Sequence, residues 1–137
     1  MKGYRFVKDL TSDVMFEATG KDLKQLFEHA GLALYDVVCQ RERVRPERHV
    51  EVVVEGRDAK ELLHNWLQAL IAEVDVRQMF FSKVEVVNIT ATRLSAMLYG
   101  EDMTPAKGKT VVKAVTNYGF ALEKTKDGYV ARASLDV

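Results

Sequence analysis

The residues best suited to chemistry lie near the two ends of the chain. Leu135-Asp136-Val137 sets an acidic side chain beside a terminal carboxylate, and Thr11-Ser12-Asp13-Val14 sets another acid near the start. Two anionic groups on adjacent residues are costly unless water or a cation compensates them. If the first and last strands lie side by side, Asp13 joins them and three carboxylates converge. Hard oxygen donors of that kind suit Ca²⁺ or Mg²⁺ rather than zinc. The competing reading makes Asp136 part of a solvated strand face and Val137 merely the last residue.

No catalytic constellation stands elsewhere. His29, His49 and His64 are scattered and show no chelating spacing. Ser12, Ser82, Ser95 and Ser134 lack a nucleophile-elbow context, and no glycine-rich phosphate loop leads from a strand into a helix. No catalytic residue is assigned, and an enzyme is the less favoured class.

The elements that must position the acids can be read from periodicity. Leu23, Leu26, Phe27, Ala30, Leu34, Val37 and Val38 recur at helical steps, as do Ala59, Leu62, Leu63, Trp66, Leu67, Leu70 and Val74. Val14, Phe16 and Ala18, then Val50, Val52 and Val54, alternate as half-buried strands do. The two strand-helix stretches echo each other: Gly20-Lys21-Asp22 is answered by Gly56-Arg57-Asp58, with Gln25 and Glu61 three residues beyond each aspartate. That spacing predicts two capping boxes and a pseudo-duplicated strand-helix unit.

After Asp75 the chain turns β-rich, with strands expected over 80–90, 92–99, 110–116, 120–124 and 129–137. Asp127-Gly128 signals a hairpin, and Asn117-Tyr118-Gly119 a turn or bulge. The expected fold is α+β, two helices packed on one face of a mainly antiparallel β-sheet. The arginine-rich stretch 40–48 reads as a solvated linker, and 100–109 as a mobile surface loop.

A length of 137 residues fits one domain, 1–137. Twenty basic and 20 acidic residues give zero net charge, so a role with RNA has to act through a protein partner or a local patch. The single Cys39 fits a buried filler in a reducing compartment. No apolar run has the length of a membrane span and no signal-peptide core follows Met1, so no membrane partner and a cytoplasmic location are expected.

Several segments stand in archease order: Thr11-Ser12-Asp13-Val14, Ala33-Leu34-Tyr35-Asp36-Val37, Trp66-Leu67-Gln68-Ala69-Leu70, Phe80-Phe81-Ser82-Lys83-Val84-Glu85-Val86, Gly100-Glu101, Val112-Lys113-Ala114-Val115-Thr116 and Leu135-Asp136-Val137. The chain resembles the archease family over nearly its whole length. The resemblance implies a non-catalytic accessory protein that promotes guanylylation and multiple turnover of the RtcB-type GTP-dependent RNA ligase in tRNA splicing and RNA repair. It also implies a calcium site at Asp13, Asp136 and Val137, with Mg²⁺ or Mn²⁺ as other occupants, and a nucleotide-site or partner contact at Lys113. Its link to tRNA is indirect, through the ligase. The alternative is a chaperone that modulates an RNA-modifying methyltransferase or another client. Two departures bear on this: the family's His-Thr-Ala-Asp is Leu10-Thr11-Ser12-Asp13 here, and its Lys-His pair is Lys107-Gly108.

Overall fold

Two strand-glycine-helix units organise the chain, and their geometry follows from the repeated sequence. The computed structural model describes residues 3–8 and 13–137. Strands β1 (Tyr4–Val7) and β2 (Val14–Gly20) lead into α1 (Leu23–Val38); β3 (Arg48–Glu55) leads into α2 (Ala59–Arg77). The strands β4 (Met79–Ile89), β5 (Arg93–Asp102), β6 (Ala114–Thr125) and β7 (Gly128–Asp136) follow. Single 3-10 turns occupy Arg41–Arg43 and Pro105–Lys107.

Both helix starts are built alike. Asp22 accepts the Gln25 amide at 2.8 Å, and Gln25 Oε1 accepts the Lys21 amide at 2.9 Å. Asp58 accepts the Glu61 amide at 2.8 Å, and Glu61 Oε1 accepts the Arg57 amide at 3.0 Å. Each cap satisfies backbone donors that a first helical turn leaves without partners.

The strands divide between two antiparallel sheets, ordered β1-β2-β7-β6 and β3-β5-β4. The α+β class and the helices packed on antiparallel sheet agree with the sequence. The division into two sheets does not show in strand patterns, because each strand-helix unit enters a different sheet: β2 the first, β3 the second. α1 packs against both β2 and β4, so it buries residues nearly all round, from Leu26 and Phe27 to Tyr35 and Val38. α2 buries one stripe, Leu62, Leu63, Trp66, Leu67, Leu70, Ile71 and Val74. A single cluster of buried side chains joins both helices to both sheets.

Two expected strands over 110–116 and 120–124 are one strand, β6, with a register shift between Thr116 and Ala121 where the Asn117-Tyr118-Gly119 signal falls. The signal marks a bulge, which bends a strand without ending it. The loop over 100–109 is tied down: Gln40 donates its amide to Lys107 O, Lys109 to Val38 O, and Lys107 Nζ bonds Glu101 at 2.8 Å. Cys39 is buried and unpaired, and its thiol faces Tyr35 O at 3.4 Å.

Candidate functional site

The ladder between β2 and β7 decides where the terminal acids stand. Val14 pairs with Leu135, Phe16 with Ala133 and Ala18 with Ala131, and these side chains enter the core. Alternation sends the pairs Met15–Ser134 and Glu17–Arg132 to the other face. Asp13 and Asp136 are the next residues beyond the Val14–Leu135 pair, so they share that outer parity at one end of the sheet. Both are half-buried, and Val137 beside them is 37% exposed.

On its other side β7 meets β6, where Ala114 pairs with Asp136 and the Lys113 amide donates to Asp136 O at 2.8 Å. Lys113 is exposed. Val112 and Val115 are both buried, three residues apart, so strict alternation stops at Lys113. Behind the acids on the outer parity lie Ser134 and its partner Thr116, whose hydroxyl oxygens are buried without a hydrogen-bond partner.

The fold therefore brings the sequence stretches of Asp13, Asp136, Val137 and Lys113 to one sheet end. The donors are all oxygens. No group of three or more His, Cys, Asp or Glu side chains gathers as a metal shell among the described residues. Carboxylate side chains from Asp13 and Asp136 fit part of the shell of a hard cation, which takes about six to eight oxygens in all, the rest coming from other oxygens of the chain, water or a partner.

Each histidine has a local structural use: His29 Nδ1 lies 2.6 Å from Thr19 O, His49 packs on Tyr99 and His64 meets Phe120 edge-on. Of the two positions where archeases carry histidine, Leu10 lies outside the described residues. At Gly108 a Cβ would come within 3.3 Å of Phe80 Cζ.

Sequence reasoning missed two charged clusters. Glu17, on the same outer face as the acids, is gripped by Arg132 and by Arg5, the latter at 2.6 Å. The hydrogen bonds from Arg132 and then Arg5 hold its carboxyl below the usual range. The second cluster corrects the solvated-linker expectation over 40–48: Arg41 turns inward, bonding Asp36 through Nε at 2.8 Å and Ser82 O at 2.9 Å. Tyr4 donates its hydroxyl to Asp36 and accepts from Arg41 at 3.3 Å. Tyr4 and Arg41 are 37 residues apart, too far for any local pattern to announce the contact.

Residues 4–137 match the model of the Archease protein family (MTH1598/TM1083). Protein archease of Archaeoglobus fulgidus is 37% identical over 98% of both chains, and that of Pyrococcus abyssi 36% identical over 86% of this chain and 87% of its own. Among solved structures, protein 1598 of Methanobacterium thermoautotrophicum superposes with a TM-score of 0.77 at 31% identity, covering both chains fully. An archease from Thermotoga maritima, described as a possible chaperone, shares the fold at a TM-score of 0.68 and 16% identity over 97% of each chain.

Proposed function

Because the chain belongs to the archease family, we propose that it is an accessory protein of the RtcB-type GTP-dependent RNA ligase, promoting that enzyme's guanylylation and repeated turnover. The observation that carries this reading is the register of β2 on β7, with Asp13 and Asp136 as the next residues of adjoining strands. Asp13 and Asp136 would hold Ca²⁺ through their side chains and Val137 through the chain end; Mg²⁺ and Mn²⁺ are the other hard candidates. A bound cation neutralises the anionic cluster and gives oxygen donors of a partner or nucleotide a place to bind.

The protein's own part is positional. Backbone pairing of β6, β7 and β2 fixes the acids, and the Lys113 amide holds Asp136 O while its ammonium stays exposed to meet a phosphate. A carboxylate pair flanked by a cation presents both signs at one edge, which suits a nucleotide carrying its own metal better than it suits a bare anion.

Multiple-turnover RNA ligation by the ligase of the same source, with GTP and Mn²⁺, tests this. Trace protein should convert a single round into continued turnover, and Asp13→Ala and Asp136→Ala should abolish the effect. Unimpaired activation by both variants would remove the role of the carboxylates. No activation by the wild-type protein, with an active ligase, would move the client elsewhere, a methyltransferase being the next to assay.

A further inference from the structure

The four-stranded sheet has a second end, and its charge is opposite. β2 runs seven residues from Val14 to Gly20, so the two ends are roughly 20 Å apart. At the far end, the β6–β7 hairpin and the start of α1 enclose an open depression of about 680 Å³ whose lining includes Lys21, Lys24, Lys124, Lys126 and Tyr129. The acids in that lining are Asp22 and Asp127, two against four lysines. Asp22 is already committed to the α1 cap.

Arginines carry the ion pairs of the described residues, with Lys107 the exception. The four lysines of the depression make no ion pair or side-chain hydrogen bond with any other described residue. A chain of zero net charge thus keeps a group of uncommitted cations together.

The group is held on firm backbone. A Cβ on Gly128 would meet Gly20 O at 2.2 Å and Lys21 Cα at 2.9 Å, so the hairpin turn lies directly against the β2 end. Tyr129 pairs with Gly20 on one side and Lys124 on the other; half-buried and packed against the core, it also contributes to the lining of the depression beside the lysines. Ammonium groups around an aromatic platform match the alternation of phosphate and base in a single strand; an acidic peptide offers the charge without the rings.

We propose that this lysine-rimmed depression around Tyr129 binds single-stranded RNA, the lysines taking backbone phosphates and Tyr129 stacking on a base. The site is distinct from the acidic end and needs no ligase, so it stands or falls separately from the proposed activation.

Fluorescence anisotropy with a labelled oligouridine, at low and moderate salt and without ligase, tests the proposal. Wild-type binding should weaken with a log-log salt slope of about −3 for four phosphate contacts. The variant K21Q/K24Q/K124Q/K126Q should lose at least about tenfold in affinity and most of that slope. Tyr129→Leu should lose about fivefold or more with the slope kept, and K60Q/K83Q should bind as wild type. Circular dichroism confirms that each variant is folded. No binding by the folded wild type, or unchanged binding by the quadruple variant, would overturn the site. Displacement of the oligonucleotide equally well, charge for charge, by poly-glutamate or inorganic polyphosphate would overturn its assignment to RNA.

Discussion

Gly20 and Gly56 face the same obstacle in the two strand-helix units. A Cβ on Gly20 would lie 2.3 Å from Leu26 N, and one on Gly56 2.6 Å from Leu62 N. In both, the strand end rests on the backbone of the first helical turn, which cannot move aside as a flexible side chain would. Gly20→Ala and Gly56→Ala should each lower the melting temperature, Gly20→Ala by more. Asp22→Ala and Asp58→Ala should each cost about 1 kcal/mol in denaturant unfolding. The cap losses should add, because the caps share no partner.

Those glycines and aspartates also mark what could be read in advance. Helix starts and the Asp127-Gly128 hairpin depend on neighbours within a few residues, so spacing reveals them. The pairing of β2 with β7 joins residues more than a hundred positions apart, and only the archease resemblance pointed to Asp13 and Asp136 together with any force. Tyr4, Asp36 and Arg41 had no such pointer. Their contact depends on β1 packing against α1, and β1 is a strand of four residues, Tyr4–Val7, too short for a pattern.

The Asp36–Arg41 pair should behave as a half-buried interaction rather than a surface one. Arg41 keeps 26% of its side chain exposed and Asp36 19%. Removing the carboxylate leaves the guanidinium and the Tyr4 hydroxyl short of an acceptor. Asp36→Ala should therefore cost about 2 kcal/mol, against well under 1 kcal/mol for breaking the exposed Arg45–Glu47 pair. Urea unfolding of both variants at neutral pH makes the comparison.

Cys39 should resist alkylation while the protein is folded. Burial is the largest cause of a thiol pushed up from 9.0 to about 11, and the nearby Asp36 adds to it. At pH 8 the native thiolate fraction is accordingly small, and iodoacetamide should modify Cys39 only at the rate of unfolding. Mass spectrometry with and without urea reads the difference.

Glu17 gives stability an acid-side dependence whose sign follows from its partners. Arg132 and Arg5 favour the ionised carboxylate, holding its folded value below the ordinary 4.5. The contribution is complete above that ordinary value and is lost as pH falls through the depressed folded one. Glu17→Gln should be less stable than wild type at neutral pH, and the gap should close as pH falls below the ordinary carboxylate range. Guanidinium midpoints for the two proteins across that range check it; a gap of constant size would mean that packing, not charge, makes the difference.

Calcium titration gives the sharpest separation of the three carboxylates proposed as ligands. A site with two acidic side chains and a chain end should be weak, with a dissociation constant on the order of 10⁻⁴ to 10⁻³ M. Asp13→Asn and Asp136→Asn each remove a charge while leaving the shape, and either should abolish heat of binding in calorimetric titration. Appending two glycines after Val137 leaves both aspartates intact but moves the terminal carboxylate off the sheet end. If that carboxylate is a ligand, the extended protein should bind several-fold more weakly; undiminished affinity would assign the site to the side chains of Asp13 and Asp136 alone. Lys113→Met supplies the complementary test: removing a nearby cation should leave calcium affinity equal or slightly higher, while reducing ligase activation if its ammonium meets phosphate.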